Sequence, residues 1–104
     1  MCVVGRGKKV RVRTHPGVVL REEFLEPLGM AGNALARQLR VPATRIGEIL
    51  REKRAVTADT ALRLARYFGT TPEFWLNLQT AFDLSKAREQ KGQEIEKNVN
   101  VRAG

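Results

Sequence analysis

Six cationic side chains crowd one stretch of the chain: Arg37, Arg40, Arg45, Arg51, Lys53 and Arg54, with Glu48 and Glu52 as the acids between residues 31 and 57. Guanidinium and ammonium groups at that density suit the gripping of phosphates, whose charge they neutralise and whose oxygens accept their N–H groups. A second basic run, Arg6, Lys8, Lys9, Arg11 and Arg13, has no acid among residues 1–13. The two runs contribute +4 and +5 to a net charge of +8. Such a balance points to a polyanionic partner, and nucleic acid is the commonest polyanion.

Other chemistries lack their parts. One histidine, His15, and one cysteine, Cys2, cannot assemble a disulfide or a cysteine-rich zinc site, and neither has a catalytic partner in its surroundings. No glycine-rich loop is present to cradle a nucleotide. Glu22, Glu23 and Glu26 follow one another on a helix without a metal-site framework around them. The chain is therefore expected to be no enzyme and to carry no cofactor or metal. Its 104 residues and 42% apolar content allow one domain with a small core. No apolar run approaches the ~20 residues of a membrane span, and the start has no signal-peptide pattern. With a single cysteine, the composition suits a reducing cytoplasm and excludes a membrane partner.

The elements that must carry these side chains are helical. His15-Pro16-Gly17 opens a first helix with Leu20, Phe24 and Leu28 at four-residue spacing, stopped by Pro27 and Gly29. A short second helix, Asn33 to Leu39, shares Leu35, Ala36 and Leu39 on one face. A third runs from Pro42 to Arg51 with Ile46, Ile49 and Leu50 as its stripe. After a loop at Glu52-Lys53-Arg54, Thr57 caps a fourth helix built on Ala61, Leu64, Ala65 and Phe68 and ended by Gly69. Thr71-Pro72-Glu73 starts a fifth that buries Trp75, Leu78 and Phe82 and runs to about Lys91, where Gly92 weakens it. The expected layout is all-α: a basic flexible arm at 1–14, a five-helix domain at 15–91, and a short C-terminal tail at 92–104 in which Val99-Asn100-Val101 is a short strand or nothing regular.

Two helices of about two turns joined by a tight turn match the helix-turn-helix plan, in which the second helix enters the DNA major groove. Ala36 supplies the small residue where the helices pack closely, Val41 the apolar turn residue, and Ile46 and Ile49 the anchors. On helix 42–51, Ala43, Thr44, Arg45, Gly47 and Glu48 are then expected to face base edges. Arg37, Arg40, Arg51, Lys53 and Arg54 are expected to meet phosphates.

The same residues carry a family resemblance. His15-Pro16-Gly17, Leu20-Arg21-Glu22-Glu23-Phe24-Leu25, Pro27-Leu28-Gly29-Met30, Asn33-Ala34-Leu35-Ala36, Asp59-Thr60-Ala61-Leu62-Arg63-Leu64 and Phe74-Trp75-Leu76-Asn77-Leu78-Gln79 resemble the HigA/VapI-type antitoxins, a lambda-repressor-like (XRE-type) helix-turn-helix branch. The likeness spans residues 14–84. It implies a homodimeric repressor of its own toxin–antitoxin operon, bound to a near-palindromic double-stranded operator, that neutralises a HigB-type messenger-RNA endonuclease toxin. It also makes the Glu22–Glu26 face either a solvated surface or a docking patch for a basic toxin. The arm is left with three roles: following the minor groove, gripping the toxin, or none.

Five positions depart from the family pattern, and all bear on DNA. Ala31-Gly32 stands where the family has a capping serine and a phosphate-clamping glutamine. Arg40 replaces the turn glycine, Gly47 a polar base-reading residue, and Glu52 the loop glycine before Lys53-Arg54. These changes imply an unusual operator. The rival expectations are a protein-interaction module with weakened operator binding, or a stand-alone regulator with no toxin.

Overall fold

The computed structural model describes residues 14–102, so the basic run at 6–13 and Cys2 lie outside the described residues. Five helical segments follow in chain order, and no strand occurs among the described residues. Helix α1 is composite: Pro16–Val19, a π-helical turn over Leu20–Leu25, then Glu26–Leu28. The helix-turn-helix pair is α2 (Gly32–Leu39) and α3 (Ala43–Leu50). It is followed by α4 (Ala58–Phe68) and the long α5 (Pro72–Asn98).

The π-helical turn has a local cause. Pro27 has no N–H to donate, and its ring would meet the carbonyl four residues back in a regular helix, so a wider coil ahead of it relieves the clash. Pro27 therefore does not stop α1. The chain passes through it and stops at Gly29, whose φ of 62° is left-handed. Leu28, expected in the core, is 62% exposed.

Leu20, Leu25, Leu35, Ala36, Leu39, Ile46, Ile49, Val56, Ala61, Leu64, Ala65 and Trp75 form the buried core, drawn from all five helices and the loop before α4. Trp75 sits at its aromatic end, 5.1 Å from Phe24 and 6.4 Å from Phe68 between ring centroids. The one polar atom of Trp75, its indole N–H, donates to the Thr70 hydroxyl at 2.8 Å, which meets the need of a buried donor. Leu78 and Phe82 are only half-buried along the same helix. Thr71 caps α5 by accepting from the Phe74 N–H at 3.1 Å. Thr57 holds the capping position of α4 but makes no such bond.

Gly92 does not end α5. The helix continues to Asn98, beyond the stop expected near Lys91, so residues 92–98 are helical where a tail was expected and 99–101 form no strand. One glycine costs a helix only ~1 kcal/mol, and the residues on either side are good helix formers. None of the helices is long and apolar enough to cross a membrane.

Candidate nucleic-acid interface

Four helices end in one motif. At the ends of α1, α2, α3 and α4 a left-handed residue follows the helix, and the next N–H reaches back to close it. The bonds are Met30 N–H to the Leu25 carbonyl at 3.0 Å, Val41 to Ala36 at 3.0 Å, Lys53 to Glu48 at 2.8 Å and Thr70 to Ala65 at 3.1 Å. This is the Schellman arrangement, in which glycine is favoured because a Cβ crowds the following carbonyl at positive φ. Gly29 and Gly69 obey the preference. The two stops that bracket α3 do not: Arg40 has φ 62° and Glu52 φ 63°. The turn and the loop keep the glycine conformation while holding charged side chains.

Helix α3 is clamped on three sides. Ile46 and Ile49 are fully buried, and Val41 packs half-buried against the core. Gly17 of α1 abuts the Ile49 carbonyl closely enough that a Cβ would collide with it, and Arg21 donates to the Leu50 carbonyl at 2.9 Å. The loop after α3 is tied to α5, where the Gln79 side chain accepts from the Val56 N–H at 2.8 Å and donates to Asp83 at 2.9 Å. His15 closes the same corner. It caps α1 through Nδ1, which accepts from the Gly17 N–H at 2.9 Å, and its ring meets Phe82 edge-on at 4.9 Å. Burial holds its imidazole below the ordinary value, against the opposing pull of Glu52, Asp83 and a hydrogen bond to the Arg54 backbone. The ring is therefore neutral at physiological pH, and the cap is its role.

The outward side of α3 presents Ala43 and Thr44 exposed, with Gly47 and Glu48 half-exposed behind them. Arg37, Arg40, Arg51, Lys53 and Arg54 are exposed around it. Of the ten residues expected at the interface, five lie on α3 and the other five, on α2, in the turn and just after α3, are exposed. They differ in electrostatic state. Glu48 pairs with Arg54 of the following loop at 2.7 Å. Arg45 donates to Asp59 at 2.7 Å, and Arg63 donates to the same carboxylate oxygen at 3.0 Å. Arg63 also donates to the Leu39 carbonyl at 2.7 Å, so α2, α3 and α4 are joined through two arginines and one aspartate. Hydrogen bonds from Arg63 and then Arg45 hold the Asp59 carboxyl below its ordinary value.

Sequence reasoning missed Asp59, Arg63, Arg21 and Gln79 as supports of this face. The i,i+4 spacing of Asp59 and Arg63 was a readable signal, since such a pair meets on one helix face. Their reach to Arg45 and Leu39 was not. At Ala31 the structure has the expected weakness: the residue occupies the capping position of α2 with no side-chain acceptor. A Cβ at Gly32 would press on the Leu50 side chain at 2.9 Å, so this residue belongs to the helix contact. Gly47 faces open space apart from the Arg51 guanidinium, 3.4 Å from where a Cβ would stand.

The helix-turn-helix model of known families matches residues 22–75, from within α1 to the first turn of α5. The chain belongs to the helix-turn-helix family, in its HigA/VapI branch. It is 54% identical over 85 residues to Virulence-associated protein I of Dichelobacter nodosus, covering 82% of this chain and 79% of that one. Antitoxin HigA-1 of Vibrio cholerae is 40% identical over 78 residues, 75% of this chain and 73% of the relative. Among solved structures, Pseudomonas aeruginosa antitoxin HigA with the higBA promoter superposes at a TM-score of 0.85 with 42% identity, covering 88% of this chain and 99% of that one. As a member of this family the chain shares its five-helix, all-α architecture, with α2–α3 as the helix-turn-helix pair.

Proposed function

We propose that this protein is the antitoxin and autorepressor of a toxin–antitoxin operon: a homodimer that binds a near-palindromic DNA operator and neutralises a HigB-type messenger-RNA endonuclease, with no catalytic step of its own. The observation that carries the reading is the outward side of α3. It is rigidly backed by Ile46 and Ile49, bears only small or polar groups at Ala43, Thr44 and Gly47, and is ringed by Arg37, Arg40, Arg51 and Lys53. A helix of this shape can enter a major groove without steric obstruction, and its flanking cations fall where phosphates line the groove. The likeness to an antitoxin solved with its own promoter supports the same assignment.

On this reading Ala43, Thr44, Gly47 and Glu48 meet base edges, Arg37, Arg40, Arg51, Lys53 and Arg54 meet phosphates, and Arg45, beside the base-reading face, reaches a phosphate or a guanine edge. Two-fold symmetry then requires half-sites about one helical turn apart, ~34 Å. The projecting half of α5 is suited to joining two copies. Leu84 and Ile95 are about half exposed there, 47% and 51%, and lie three turns apart on one stripe.

Fluorescence anisotropy on the DNA upstream of the gene, against a scrambled duplex, tests the reading. The upstream duplex should bind at least about a hundredfold tighter, a threshold set below the usual ~10³–10⁷ ratio of specific to non-specific affinity. Equal binding that collapses with salt on both duplexes would leave a protein-interaction module on a repressor scaffold. Co-expression with the neighbouring gene's product, scored as restored growth and a stable co-purifying complex, tests the toxin partner.

A further inference from the structure

We propose that Asp59 is an affinity-limiting residue of the DNA interface: it holds Arg45 in an ion pair that random DNA leaves closed and that the seated operator complex opens at a cost. The inference rests on the DNA-binding reading above and deepens it.

The geometry distinguishes Arg45 from its neighbours. Arg37, Arg40, Arg51 and Lys53 have no carboxylate within ion-pair reach among the described residues. They offer their charge to any phosphate. Arg45 is withheld: its side chain is 28% exposed, and its terminal nitrogen lies 2.7 Å from Asp59 Oδ2. Phosphate must compete with that carboxylate to reach it.

Asp59 is also built to let go. The same oxygen accepts from Arg63 at 3.0 Å, and the pair is an i,i+4 contact within α4. When Arg45 leaves, Arg63 still neutralises the carboxylate, so no orphan acid faces the DNA. Glu48 has no such second partner. Its carboxylate pairs with Arg54 at 2.7 Å, and release of Arg54 would leave a bare acid beside phosphates. Of the two masked cations, Arg45 is the exchangeable one. Exposed pairs of this kind are weak and open at low cost. A phosphate fixed in place by correct base contacts can therefore displace Asp59, whereas a loosely tracking one meets a competitor already bound.

The experiment is a double-mutant cycle on the full-length protein, with affinities for the upstream duplex and for a scrambled duplex measured between 50 and 200 mM salt. Asp59→Asn should tighten binding to the scramble about threefold at the low-salt end and steepen its log–log salt slope by about 0.9, the share of one extra phosphate contact. Affinity for the upstream duplex should rise by at least as much with its salt slope unchanged, because the wild type opens the ion pair in that complex and the variant has no pair to open. In an Arg45→Ala background the Asp59→Asn gain on the scramble should vanish. Glu73→Gln removes an acid in the first turn of α5 that makes no ion pair with Arg45 and should change neither slope.

Three results overturn the proposal. Weaker upstream binding by Asp59→Asn with the scramble unchanged would make Asp59 only a support for Arg45. A gain that persists without Arg45, or that Glu73→Gln reproduces, would make the effect simple charge repulsion. Circular dichroism and melting curves on each variant separate these from misfolding. The scramble arm reads the exchange by itself. A wild type that binds both duplexes alike therefore overturns the repressor reading and, with it, the operator half of this one.

Discussion

The backbone of Gly17 lies against the carbonyl of Ile49 with no room for a methyl group between them. This contact presses α1 onto the last turn of α3, and Arg21 adds a hydrogen bond to the next carbonyl, that of Leu50. Helix α3 is thus held from behind by a backbone-to-backbone approach, which is why glycine stands at position 17. A Cβ there would meet a carbonyl fixed inside a helix and not the end of a flexible side chain. Gly17→Ala should therefore destabilise the protein by about 1–3 kcal/mol, the range for overpacking a close contact. Urea unfolding should show a lower midpoint with an unchanged slope. Stability equal to wild type would mean that α1 moves aside at no cost.

The two left-handed stops around α3 yield a paired prediction. Arg40 and Glu52 each occupy a conformation that favours glycine, at φ 62° and 63°. Arg40→Gly and Glu52→Gly should each stabilise the fold by up to ~1 kcal/mol by removing left-handed strain. Their effects on DNA should diverge. Arg40→Gly should weaken binding and flatten the salt slope by about one phosphate contact, while Glu52→Gly should tighten binding by removing an acid beside the phosphates. Melting curves and salt-dependent anisotropy on the same two proteins check both halves.

Residues with local signatures were the ones legible in the sequence. Pro16, Gly29, Gly69 and Thr71-Pro72 mark helix ends through their own backbone chemistry, and Leu35, Ile46, Ile49, Ala61 and Leu64 mark buried faces by spacing. The exposed side of α3 was legible for the same reason, since its residues share one short amphipathic helix. Pairings across elements were not. Arg45 meets Asp59 and Arg54 meets Glu48 only because α3, the loop and α4 fold together, and many exposed acids offered equivalent charge. The extent of α5 was misread because Gly92 is a weak stop when no proline or left-handed cap follows it. Leu28 was misplaced because Pro27 widens the coil before it and breaks the four-residue register.

Ala31 invites a gain. It holds the capping position of α2 at φ −82° and ψ 154°, the extended geometry from which a serine hydroxyl reaches the first turn, but alanine has no side-chain oxygen to accept an N–H there. Ala31→Ser should add about 1 kcal/mol. For a domain of this size that corresponds to a rise in melting temperature of roughly 4–8 °C. Ala31→Val, equally free of a capping oxygen, should give no such rise. If both substitutions stabilise alike, packing and not capping is limiting at this helix start.

His15 makes stability depend on pH in a predictable direction. Its Nδ1 must be unprotonated to accept from the Gly17 N–H, and burial lowers its folded-state pKa below the unfolded value of about 6.5. The unfolded chain therefore binds more protons in this range, and stability rises with pH. The histidine's contribution is complete above about pH 6.5 and is lost as the pH falls from there through the folded-state value. Glu52, Asp83 and the Arg54 backbone favour the protonated ring and Lys86 disfavours it, so the loss is moderated but keeps its sign. Wild-type melting temperature should fall between pH 7.5 and 5.5, before the carboxylates titrate. His15→Asn retains a capping acceptor for Gly17 but has no proton to gain in this range, so its curve should be flat there, at a lower plateau because the ring contact with Phe82 is gone. A pH dependence that survives the substitution would place the responsible group elsewhere and reduce His15 to a helix cap.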